Sequence, residues 1–137
     1  MNASAQGAAT DVVELRIPAK AEWVSIARLA VSAVASRLGF PIEEIEDLKL
    51  AVAEALVHAI QHGATSADLL CESLPDGLRI RVRDFGIPSA QTEEIDATAA
   101  TPGHLGIFLI RALMDSVEYD PRAGGSADLV MFKRLPI

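Results

Sequence analysis

Apolar residues recur at Ile45, Leu48, Val52, Ala55, Leu56, Ala59 and Ile60, at intervals of three and four. That period predicts a helix with one buried stripe, from about Pro41 to His62, stopped by Gly63. Ahead of it, Glu22 to Leu38 contains no glycine or proline, and Val24, Ala27, Leu29–Ala30 and Val34 give a second helical stripe, with Arg28 and Arg37 elsewhere on the surface. Gly39 is a natural stop for that helix, and Pro41 is well placed to open the next. A third amphipathic stretch, Ile107–Met114, directly follows Thr101-Pro102-Gly103-His104-Leu105-Gly106.

Elsewhere the period is two. Val13, Leu15 and Ile17 alternate with Val12, Glu14 and Arg16 in a first strand closed by Pro18. Thr65–Leu74 reads as a strand, Pro75-Asp76-Gly77 as a turn, and Leu78, Ile80 and Val82 alternate with Arg79, Arg81 and Arg83. The two strands form a hairpin. The arginines read as a solvated outer face, with a partner-docking ladder as the alternative. Val117–Tyr119 and Ala127–Lys133 are the last strands, joined by a turn over 121–126. Ser89–Ala100 is small, polar and acidic with no apolar period, so it reads as a loop of the length that often serves as a lid. The order β-α-α-β-β-loop-α-β-β predicts an α+β fold: a two-layer sandwich, its mixed sheet mostly antiparallel, with the helices on one face. Residues 1–10 read as a disordered tail and 11–137 as a single domain.

Composition narrows the classes. One Trp, one Tyr and four Phe leave the core to aliphatic side chains. A net charge of -7 argues against a direct nucleic-acid partner, because phosphate binding needs a cationic face. No apolar run reaches the ~18–20 residues of a membrane span. MNASAQGAAT lacks the basic and apolar regions of a secretory signal. The single cysteine, Cys71, reads as a buried structural thiol. The expectation is a soluble, cytoplasmic protein.

Three features carry candidate chemistry. Gly103 and Gly106 lie where a loop enters a helix, an arrangement that suits an anion site and equally suits plain capping. Asp84 with Gly86 ends a strand; its carboxylate suits a ligand amine, and the pair also suits an Asp-led turn. Glu54, His58 and His62 stand four apart and so line one face of the long helix. They can be drawn as a metal site, but Ala59 stands where the HExxH order needs a catalytic glutamate, and His62 also suits the helix C-terminus.

The order of these features resembles the anti-sigma-factor serine kinases of the RsbW type, small members of the ATPase superfamily that includes histidine kinases and gyrase. Likeness runs from Leu15 to Lys133. RLAVSAVASRLGFPIEEIEDLKLAVAEALVHAIQH, Arg28 to His62, resembles the family's first two helices; DFGIP resembles its first glycine box; GHLGIFLIRALMDSVEY resembles its second. The resemblance implies the histidine-kinase-like ATPase (Bergerat) fold. It implies ATP and Mg²⁺ as cofactors, Asp84 accepting from the adenine amine with Gly86 at the pocket wall, and Gly103, His104, Leu105 and Gly106 around the phosphates. Glu54 would be the general base and residues 89–102 the ATP lid. Implied partners are an RNA polymerase sigma factor and an anti-anti-sigma STAS-domain protein phosphorylated on serine or threonine, in a stress-response circuit. Arg28 would lie on the partner-docking surface of a homodimer. The chain departs from the pattern at His58, where the family carries a magnesium-ligating asparagine, and at His104, where it carries glycine. Three readings stay open: a serine/threonine kinase and anti-sigma factor, a binding module of the same fold that holds its partner without phosphoryl transfer, or another role on this fold, such as a kinase that activates a phosphatase within a larger sensory complex.

Overall fold

The computed structural model describes residues 9–85, 102–121 and 127–136. Residues 1–8 of the expected 1–10 tail, Gly86, residues 89–101 of the expected 89–102 lid and residues 122–126 of the expected 121–126 turn lie outside them. The chain opens with β1 (Asp11–Pro18), a short 3₁₀ turn (Ala21–Trp23) and helix α1 (Val24–Leu38). Helix α2 (Ile42–Gln61) and the hairpin β2 (Ser66–Leu74) and β3 (Gly77–Phe85) follow. Helix α3 (Pro102–Leu113), β4 (Ser116–Pro121) and β5 (Ala127–Arg134) complete the order. Both early helices end on a left-handed glycine, Gly39 at φ 94° and Gly63 at φ 90°. Such a residue lets the next amides turn back onto the last carbonyls: Phe40 N donates to Ala35 O and Ala64 N to Ala59 O.

The five strands lie in the order β1-β2-β3-β5-β4, and each neighbouring pair is antiparallel. Alternation sends Leu69 and Cys71 of β2, Leu78, Ile80 and Val82 of β3, and Leu129 and Met131 of β5 toward the helices. There they meet Leu48, Val52 and Leu56 of α2, Ala27 and Val31 of α1, and Ile107 and Ile110 of α3 in one buried cluster. Each such aliphatic side chain contributes roughly 1.5–3 kcal/mol by leaving water. Among the described residues, no helix is long and apolar enough to cross a membrane.

Three expectations change. First, α3 begins at Pro102, five residues before Ile107. Proline and glycine read as breakers in sequence, but proline fits a helix's first turn, where its missing N–H costs no intrahelical bond. Second, Leu29 is not in the buried stripe of α1. The stripe is Val24, Ala27, Val31 and Ala35, and Leu29 is 66% exposed. Third, the β3 arginines are not a solvated face. Arg79 is only 6% exposed and donates to Glu72, its cross-strand partner, at 2.7 Å. Arg81 donates to Asp120 at 2.7 Å, and Arg81 and Arg83 converge on the buried Asp128. Burial opposes the Arg81 charge, but the hydrogen bond to Asp120 and the carboxylates of Glu72 and Asp128 outweigh it and hold its pKa above the ordinary value. Since β3 is the central strand, acids from both neighbours reach its outer face, which the strand's own alternation cannot reveal.

Candidate functional site

Glu54 lies in the middle of α2, half-buried on the flank beside the buried Ala55 and Leu56. Helix α3 packs across this flank. A Cβ built on Gly106 would stand 3.0 Å from Glu54 Oε2 but at an ordinary contact distance of 3.8 Å from the Glu54 carbonyl, so the absence of a side chain at 106 leaves the carboxylate its place against α3. The first turn of α3 therefore opens beside the Glu54 carboxylate. In that turn the amides of Gly103 and His104 have no intrahelical acceptor, and they carry the positive end of the helix dipole. Gly106 itself sits one turn inside the helix, not ahead of it as the sequence suggested.

Asp84 stands near the end of β3, opposite Ala67 of β2. Alternation from Leu78, Ile80 and Val82 places it on the helix-facing side of the sheet, the side on which α2 and α3 lie. Its Oδ1 is shut off from solvent. A carboxylate oxygen held dry at the mouth of a core suits an amine-bearing planar ligand better than a surface turn does.

His58 lies one turn beyond Glu54, half-buried, with its ring tilted over that of His62 at a centroid distance of 4.2 Å. His62 Nδ1 lies 2.9 Å from the His58 carbonyl, which leaves Nε2 as its outward nitrogen. The two imidazoles thus pack on each other at the C-terminal end of α2. Among the described residues, no group of three or more His, Cys, Asp or Glu converges to hold a metal, so the three-ligand reading of Glu54, His58 and His62 is not formed.

Arg28 is exposed on α1. Beside it the sequence reading missed a second apolar stripe, Trp23, Ile26 and Leu29, which are 43%, 41% and 66% exposed. The signal was available: spacing of three, parallel to the buried stripe and offset by one residue, on a helix with no acidic side chain.

The chain is similar to known proteins over most of its length. The profile of the histidine kinase-like ATPase domain matches residues 17–133. The serine-protein kinase RsbW of Listeria monocytogenes serotype 4a is 41% identical over 123 residues, covering 79% of this chain and 78% of the relative. RsbW of Bacillus pumilus is 38% identical over 144 aligned positions, covering 89% and 86%. A crystal structure of RsbU and RsbW domains from Mycobacterium tuberculosis superposes with a TM-score of 0.68 at 17% identity over 92% of this chain. The match spans 33% of that longer chain and speaks to the fold alone.

Proposed function

The chain belongs to the histidine kinase-like ATPase domain family, among the RsbW serine-protein kinases, and from that premise we propose that it is an anti-sigma factor that phosphorylates a partner protein with ATP. The observation that carries the reading is the juxtaposition of Glu54 with Gly106 and the first-turn amides of α3. It sets a proton acceptor beside a row of anion-binding N–H groups, the pair of functions that phosphoryl transfer to a hydroxyl requires.

The donor set fits a nucleotide. The amides of Gly103 and His104 would hold phosphate oxygens, and Asp84, its Oδ1 out of water, would accept from the adenine amine. When bound, ATP supplies the phosphoryl group. Glu54 takes the proton from the substrate serine or threonine hydroxyl, so that the oxygen can accept phosphorus as it loses hydrogen. General-base action of this kind contributes about 10²–10⁴ in rate. The donor set does not fit magnesium. That ion prefers hard oxygen ligands in near-octahedral order, and the residue one turn from Glu54 presents an imidazole.

The partners are a sigma factor and a small anti-anti-sigma STAS-domain protein. Support comes from α1, which contains no acidic residue and exposes Ile26, Leu29 and Arg28 beside Trp23 of the preceding 3₁₀ turn, a surface suited to an acidic, partly apolar partner. Residues 11–137 act as one domain, in the cytoplasm, as a homodimer; exposed Val12 and Val13 on the edge strand β1 support self-association. The test is incubation with labelled ATP, divalent cation and a cognate STAS protein. Transfer to the STAS protein that disappears in Glu54→Ala is expected. Tight partner binding without transfer would overturn the kinase reading and leave a holding module of the same fold.

A further inference from the structure

Three charged residues are buried among those described: Arg79, Asp128 and Lys133. Arg79 and Asp128 belong to the ion pairs on the outer face of the sheet. Lys133 points the other way. It shares the helix-facing side of β5 with Leu129 and Met131, and it is 7% exposed. Its Nζ donates to the carbonyl of Leu113, the last residue of α3, at 2.6 Å. It also lies 3.5 Å from Glu44 and 3.8 Å from Asp47, both near the start of α2.

A buried ammonium is costly unless several partners meet it. Here the partners come from two helices. Leu113 O is among the final carbonyls of α3, which lack intrahelical donors, and the cation sits at the negative end of that helix. The neighbouring segment is fastened too: Asp115 N donates to Phe132 O at 2.9 Å, and Asp115 Oδ2 accepts from Arg134 N at 2.7 Å. The C-terminal end of α3 is thus tied to residues 132–134 of β5, and through Lys133 to the acidic side chains at the start of α2.

The spacing gives this tie a consequence at the far end of α3. Asp47 and Glu54 are seven residues apart on α2; Gly106 and Leu113 are seven apart on α3. Seven residues make about two turns, which returns to the same face. The helices run antiparallel, with Leu113 near Asp47 and Gly106 against Glu54. We infer that Lys133 is a positioning residue that sets the axial register of α3 on α2, and so holds Gly106 and the first-turn amides of α3 at the Glu54 carboxylate. The inference rests on the nucleotide reading of that cleft for its functional half only.

The test uses the full chain carrying Lys133→Met, with Arg79→Met as a buried cation removed from the other face. Hydrogen exchange of the Ile107–Ile110 amides is expected to quicken about tenfold in Lys133→Met while that of Val31–Ala35 stays constant. The dissociation constant for a non-hydrolysable ATP analogue is expected to rise about tenfold. Arg79→Met is expected to lower the melting temperature while leaving both readouts unchanged. Should Lys133→Met not fold, Glu44→Gln with Asp47→Asn removes the α2 half of the tie and is expected to move both readouts the same way, by less. Exchange that is unchanged, or faster in every helix alike, overturns the register role. Selective loosening of α3 in a parent protein that binds no nucleotide would support the register role and refute the nucleotide reading instead.

Discussion

Gly106 and Glu54 stand so close that a single methyl group on the glycine would lie 3.0 Å from the carboxylate oxygen Oε2. That oxygen ends a flexible side chain, so an added Cβ would push it aside without unfolding the helices. The relationship separates stability from chemistry. Alanine favours a helix interior over glycine by about 1 kcal/mol. Gly106→Ala is therefore expected to melt at or above the parent temperature while phosphoryl transfer, measured at saturating ATP, falls by at least about tenfold. A variant that melts lower but transfers at the parent rate would show that the close approach serves packing only.

His58 invites the opposite kind of change. Its imidazole suits magnesium poorly, whereas an amide oxygen is a hard donor. His58→Asn is expected to tighten ATP binding about tenfold with magnesium present and to leave it unchanged in chelator. The variant also loses the ring contact with His62, at 4.2 Å, and with it about 0.5–1 kcal/mol of stability. Calorimetric titration with and without magnesium checks the first expectation. Equal affinities for parent and variant would remove the mismatch as a reason for weak metal use.

Cys71 ties stability to alkaline pH. Burial in the core, helped by neighbouring Glu72, pushes its thiol pKa up to about 12. In the unfolded chain the thiol ionises near about 8.5. Between these values the unfolded state sheds a proton that the folded state keeps. The Cys71 contribution is thus fully present below the unfolded pKa and is lost as pH rises toward the folded one, at about 1.4 kcal/mol per pH unit. Denaturant titrations from neutral pH to about pH 11 should show a steeper alkaline fall for the parent than for Cys71→Ala. The native thiol should also resist alkylation until the protein unfolds. Parallel slopes would mean the thiol ionises equally well in both states.

Much of the fold could be read from local pattern. The alternation at Leu78, Ile80 and Val82 and the period through Leu48, Val52 and Leu56 reflect faces that are buried, and such faces recur at the repeat of their own element. Gly39 and Gly63 marked helix ends because few other residues adopt a left-handed φ at low cost. Local chemistry misled where two signals competed. Pro102 and Gly103 looked like loop residues because both disfavour helix interiors, yet the first turn of a helix tolerates them. Leu29 looked like core because hydrophobicity alone does not say which of two apolar stripes faces inward.

What the amino-acid order determined by itself was the succession of elements, the helix-facing side of each strand, and the residue types at Glu54, Asp84 and Gly106. Those follow from interactions within a few residues, where spacing and geometry are the same thing. The pairing of Arg79 with Glu72, the convergence of Arg81 and Arg83 on Asp128, the approach of Gly106 to Glu54, and the reach of Lys133 to the end of α3 were decided only by tertiary structure. Each joins groups from different elements, and the chain carries no local record of which distant segment will supply a charge its partner or a helix its neighbour.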